Sequence, residues 1–190
     1  MSPIQQEIQS CLKILRSGGT ILYPTDTIWG IGCDATNSTA VAKIYQLKQR
    51  MERKSLIILL DDANKLNHYA SKIPEIAWDL IKNVDTPLTI IYQEAKNLAD
   101  NVIAEDGSIA IRIVRNDFCR ELIHAFGKPI VSTSANISGA TSPQTFRNII
   151  QEIIQGVDYV VDESLDQIHE LKPSRIIKLN QNGEFHIVRN

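Results

Sequence analysis

Lys-Pro-Ile-Val-Ser-Thr-Ser-Ala-Asn-Ile-Ser-Gly (128–139) is the stretch on which the reading of this chain turns. Lys128 and Pro129 lead into Ile130 and Val131, a short buried-strand pattern, after which four hydroxyls and one amide crowd into seven residues. A strand that runs out into small polar residues serves a core poorly. Its O–H, amide and backbone groups are suited to cradling an anion. The same residues also describe an ordinary polar strand-to-helix loop with a cap at Ser142 before Pro143, so the choice rests on the rest of the chain.

Upstream, Asp117 is placed to cap a helix through Phe118, Leu122, Ile123 and Phe126 that Gly127 stops. Before it, Ser108-Ile-Ala-Ile-Arg-Ile113 alternates, with the three isoleucines on one face and Ser108 and Arg112 together on the other. Ser55-Leu-Ile-Ile-Leu-Leu60 is apolar throughout, as expected of a central strand covered on both sides. Leu88–Tyr92 reads as a strand, 93–107 as loop, and Ala63–Tyr69 and Pro74–Lys82 as short helices. Near the N-terminus, Ile4, Ile8, Leu12 and Leu15 mark a helix stopped at Gly18-Gly19. Thr20–Tyr23 and Ile28–Cys33 are strand pieces around the loop Pro24-Thr-Asp-Thr27, and Ser38 caps a helix through Val41, Ile44 and Leu47.

Downstream, Ser142-Pro143 opens a helix to Gln155 with Phe146, Ile149, Ile150, Ile153 and Ile154 on its apolar face. Val157–Val161, Arg175–Leu179 and Glu184–Arg189 are strands, the last two joined by the turn signal Gln181-Asn-Gly183. Helices mixed with strands, but ending in a hairpin, predict an α/β fold of the α+β type: a three-layer mixed twisted sheet flanked by helices. A length of 190 residues predicts one domain over 1–190.

Composition narrows the chemistry. With 43% hydrophobic and 22% charged residues the chain is globular, and a net charge of −2 excludes a uniformly basic nucleic-acid binder. Five cations (Lys43, Lys48, Arg50, Arg53, Lys54) against Glu52 make one basic run, and Asp158, Asp162, Glu163 and Asp166 make an acidic one. No stretch has the length of a membrane span, and the N-terminus is too polar for a secretion signal, so a cytoplasmic protein is expected. Cys11, Cys33 and Cys119 have neither disulfide nor zinc spacing, and His68, His124, His169 and His186 are scattered, so no metal site is expected. Walker, dinucleotide, zincin and nucleophile-elbow motifs are all missing. Cations and hydroxyls on loops beside strands remain, which suit an anionic substrate and charge developing during group transfer. Lys48 and Arg50 stand two apart at a helix end, so a joint role requires the backbone to leave helical geometry between them.

In order, residues 18–32, Lys48-Gln-Arg50, Ser108-Ile-Ala-Ile-Arg112, the 128–139 run and Pro173-Ser174-Arg-Ile-Ile resemble the threonylcarbamoyl-AMP synthases with the YrdC-like domain, in their short form without a C-terminal domain. The resemblance implies a YrdC-like mixed sheet with a concave basic site. It implies a nucleotidyltransferase that makes threonylcarbamoyl-AMP and pyrophosphate from L-threonine, bicarbonate or CO2, and ATP with Mg²⁺, for modification of an adenosine in tRNA. Lys48 and Arg50 would be catalytic, handling ATP phosphates. Thr27, Lys54, Arg112, Ser132 and Ser174 would hold threonine, and Ser108, Ser134, Asn136 and Arg189 would hold ATP. The implied partners are those substrates, tRNA, and downstream threonylcarbamoyl-transfer machinery. Trp29 stands where the family more often has tyrosine or phenylalanine, and Met51 where it has proline. The alternative is a non-catalytic RNA-binding paralogue that uses the basic run.

Overall fold

The structure, a computed structural model, describes residues 2–50, 56–166 and 172–190. Its order is α1 (Pro3–Arg16), β1 (Ile21–Tyr23), β2 (Gly30–Gly32), α2 (Ser38–Leu47), β3 (Ile57–Leu60), α3 (Leu66–Tyr69), β4 (Ala70–Lys72), α4 (Glu75–Asn83), β5 (Leu88–Ala95), β6 (Ile109–Ile113), α5 (Asp117–Phe126), β7 (Ile130–Ser134), α6 (Gln151–Gly156), β8 (Tyr159–Val160), β9 (Arg175–Leu179) and β10 (Phe185–Arg189). The strands form one mixed sheet in the order β10-β9-β5-β6-β3-β7-β2-β1-β8, with β4 paired to β5. The apolar β3 lies at its centre, parallel to β6 and antiparallel to β7, as its unbroken hydrophobicity implies.

Each face of the sheet is covered, which makes the three layers. On one side α1 and α5 pack Leu12, Leu15, Phe118 and Leu122 onto Ile21, Tyr23, Leu59 and Ile130. On the other, α2, α4 and α6 supply Val41, Ile44, Ala77 and Ile153 against Leu22, Ile31, Ile58, Ile90 and Ile111. Register sets the site: Ser132 faces Ile57, Ser134 faces Gly30, and Arg112 lies between Leu59 and Thr89. Gly32 is obligatory because a Cβ there would stand 2.6 Å from Val131 O and 2.7 Å from Tyr23 Cε1.

Several local readings need correction. Asn37, not Ser38, caps α2, accepting from Thr39 and Ala40 N–H, and Asn116, not Asp117, caps α5, accepting from Cys119 N–H. Residues 93–95 extend β5 because they pair with β4 rather than forming loop. The 142–155 segment is not one helix. A short 3₁₀ turn at Phe146–Asn148 is followed by extended Ile149 and Ile150, and the α-helix begins only at Gln151, leaving Ile150 exposed. Ser55, Arg53, Lys54 and His169 lie outside the described residues.

Candidate active site

A cleft of about 260 Å³ opens where β2, β6 and β7 meet the loops leading to and from β9 and β10. It is lined by Thr27, Trp29, Arg50, Arg112, Ser132, Ser134, Ser142, Ser174 and Arg189, together with apolar and backbone atoms from neighbouring positions. Three guanidiniums therefore reach one hollow from α2's end, the middle of β6 and the edge strand β10. No carboxylate belongs to the described lining. Gly30 keeps the floor open, since a Cβ there would lie 3.1 Å from Ser132 Oγ.

Arg112 is almost wholly buried. Its Nη2 lies 3.0 Å from Asp26 Oδ1, and its Nη1 donates a long 3.4 Å bond to Thr27 Oγ1. Its Nε is buried with no partner, a donor left over for a ligand's acceptor. Thr27 is held in turn by Thr25, whose hydroxyl lies 3.0 Å from that of Thr27 and donates to Ile28 O at 2.7 Å. Arg189 donates through Nε and Nη2 to Ser174 O at 3.0 and 2.8 Å, and Ser174 Oγ sits 2.7 Å from Thr89 Oγ1. Burial, and then the charge of Arg112, pull the Arg189 pKa down from its ordinary value. With Arg112 balanced by Asp26, it is Arg189, held by a carbonyl and a hydroxyl of Ser174, whose charge favours an anion in the hollow.

Between Lys48 and Arg50 the backbone leaves helical geometry, as their spacing demanded for a joint role, but the two side chains part. α2 ends at Lys48, and Gln49 takes the left-handed region at φ 51°, after which Arg50 N–H returns to Tyr45 O. Arg50 enters the cleft with its guanidinium 5.7 Å from the Tyr45 ring centre. Lys48 does not line the cleft. Its ammonium is buried and donates to Ser134 O at 2.5 Å and Asn136 O at 2.6 Å, and Ser138 N–H closes on Lys48 O. Burial, and then Arg50, lower its pKa to about 8. Lys48 is thus the peg that shapes the Ser134–Ser138 turn.

Asn136 Nδ2 pins the same turn through Ile137 O and Ala140 O, while its Oδ1 is buried without a partner. Ser108 is not brought to the cleft. It shares a face with Arg112 as the alternation implied, but stands at the other end of β6, bonded to Asp106, which Lys178 also holds. Asp26 went unread in the sequence because nothing in a Pro-Thr-Asp-Thr loop says which strand its carboxylate meets. Trp29 is fully buried, its ring 4.9 Å from that of Phe146 and its Nε1 donating to Asp166 Oδ2 at 2.7 Å.

Two of the three described cations of the basic run are engaged within the fold: Lys43 donates to Gly18 O and pairs with Asp158, while Lys48 is internal. An RNA-binding reading based on that run loses two of its cations.

A fold of this shape with an anion-seeking cleft defines a family, and the Sua5/YciO/YrdC model, described as "Telomere recombination", matches residues 13–190. The chain belongs to that family. It is 33% identical over 164 residues to the threonylcarbamoyl-AMP synthase of Pseudoalteromonas translucida, covering 85% of this chain and 88% of the relative. To the enzyme of the same name from Psychromonas ingrahamii it is 39% identical over 137 residues, 70% of this chain and 72% of that one. Among solved structures, P. abyssi Sua5 complexed with L-threonine superposes with a TM-score of 0.80 at 26% identity, covering 90% of this chain and 50% of that chain.

Proposed function

We propose that the chain is an L-threonylcarbamoyladenylate synthase, a nucleotidyltransferase acting as one catalytic domain in the cytoplasm. The observation that carries this reading is the convergence of Arg50, Arg112 and Arg189 with the hydroxyls of Thr27, Ser132, Ser134 and Ser174 on a cleft whose described lining has no carboxylate. It occurs in a chain aligned over most of its length with relatives of that activity.

The reaction needs no protein nucleophile. The threonine amine adds to CO2 and loses a proton, giving a carbamate. A carbamate oxygen attacks the α-phosphorus of ATP, and the bond to the bridging oxygen breaks as pyrophosphate leaves. Arg112, with its unpartnered Nε, takes the threonine carboxylate, and Thr27, Ser132 and Ser174 complete that subsite. Arg50 and Arg189 face the phosphates and stabilise charge on the leaving group. Ser134 orients the nucleotide from a turn held by Lys48 and pinned by Asn136, whose own place on the ATP side rests on resemblance alone. Lys54 belongs to the threonine side by resemblance alone, and Ser108 would need a rearrangement of β6 to take part.

Among the described residues no cluster of three His, Cys, Asp or Glu could hold a metal ion, and the cleft offers guanidiniums and hydroxyls. A resident metal does not fit that donor set, so Mg²⁺ is taken to arrive on the triphosphate as part of the substrate. The product is an activated anhydride consumed by a separate transfer machinery that acts on tRNA. Purified protein should release pyrophosphate from ATP only when threonine and bicarbonate are both supplied. Equal release without threonine would sink the assignment.

A further inference from the structure

Arg112 is gripped from behind. It fronts the cleft, whereas Asp26 fronts a separate small cavity of about 50 Å³ on the far side, among Tyr92, Ile111 and Ile113. The pair bridges the two, with side chains only 4% and 10% exposed and 3.0 Å between charged atoms. Neither Asp26 Oδ1 nor Arg112 Nε completes a hydrogen bond, so the contact is ionic and the guanidinium keeps donors to spare. A carboxylate arriving from the cleft would meet a guanidinium whose charge is already balanced.

Resting on the assignment of Arg112 to the threonine carboxylate, we propose that Asp26 is a positioning residue that aims Arg112 into the cleft and sets how strongly it holds that carboxylate. Two carboxylates on opposite sides of one guanidinium repel each other through a poorly screened interior. Asp26 therefore weakens the grip on threonine. The product retains the same carboxylate, so the weakened grip also favours its release. Local chain chemistry supports the geometry: Asp26 lies between Thr25 and Thr27, whose mutual hydroxyl bond fixes the loop, so the carboxylate has one direction in which to point.

The test is calorimetric titration of the purified protein with L-threonine and with L-threoninamide, which lacks the carboxylate, alongside steady-state kinetics. Asp26→Asn removes the charge and keeps the shape. It should bind L-threonine about tenfold more tightly, a shift of one logarithmic unit expected from removing one like charge beyond a guanidinium. L-threoninamide binding should stay unchanged, and KM for threonine and kcat should fall together. Asp26→Glu, which restores the charge, should return threonine affinity toward the unmodified protein. Threonine affinity unchanged in Asp26→Asn, or weakened equally for both ligands, would overturn the proposal. If that variant does not fold, Asp26→Ser removes the same charge from a smaller side chain, and loss of folding in both would reduce the pair to a structural ion pair. Arg112→Lys separates the two claims. If it leaves threonine binding intact, the assignment of Arg112 itself fails. If it weakens threonine while Asp26→Asn changes nothing, only the role of Asp26 fails.

Discussion

Replacing Lys48 by methionine keeps an unbranched stem of similar length and removes the ammonium. Two charge-assisted bonds are lost, to Ser134 O and Asn136 O, each worth about 1.5–3 kcal/mol. Against this, the buried ammonium is itself costly. A pKa brought from 10.5 to about 8 corresponds to about 3 kcal/mol at neutral pH, although two carbonyl acceptors so close favour the charged form and reduce that cost. Two such bonds less that cost leave a net loss of about 2 kcal/mol, or roughly 30-fold in the opening of the 134–138 turn. Amide exchange at Ala135, Asn136 and Ser138 should quicken by about that factor, and turnover should fall by about 10²-fold, as when a transition-state donor is displaced. The pH dependence has a definite sign. The folded-state pKa is lowered, so between about pH 8 and 10.5 the unfolded chain binds more protons and stability rises with pH through that window. The methionine variant should lack that rise. Exchange rates and turnover like those of the unmodified protein would refute the view of Lys48 as the peg of this turn.

Arg50→Ala should lower turnover by about 10²-fold through a lost phosphate donor, with the melting temperature nearly unchanged, as read by pyrophosphate release and calorimetry. Trp29→Phe keeps a ring against Phe146 but strips Asp166 Oδ2 of its donor; burial already raises the pKa of that carboxyl. The cost should be about 1.5–3 kcal/mol in denaturant unfolding, largely recovered in the double variant with Asp166→Leu because no unpaired carboxyl remains. Gly32→Ala should fail to give soluble folded protein at 37 °C, since its Cβ meets backbone and a fully buried tyrosine. Normal expression and melting would contradict the tight contact.

Period and punctuation made much of the fold readable. The apolar run, over its residues 57–60, the alternation at 108–113 and the glycine stops each correspond to an element of the sheet or its helices. What stayed hidden depends on partners distant in sequence. Asn116 and Asp117 are adjacent capping residues, and only the arrival of the chain from β6 decides between them. β4 is three residues long, and its partner residues Gln93, Glu94 and Ala95 carry no large apolar side chain, so neither half signals a strand alone. Helical spacing at 146–154 did not reveal the break at Ile149 and Ile150, because Phe146 is drawn toward Trp29 and the preceding residues toward the cleft. Among site residues, sharing a face placed Ser108 correctly in direction but not in distance, since four residues along a strand span about 13 Å. Lys48 was legible as important but not in its manner of acting, and Asp26 needed coordinates to be seen at all.

Arg189 rides on β10, a margin strand whose ladder partner is β9, with Phe185, Ile187 and Val188 facing water. Such strands fray before a molecule melts. Warming should therefore detach the Arg189 guanidinium from the cleft reversibly while the central strands stay intact, and the enzyme's working temperature would be capped by its outermost ribbon rather than by its interior.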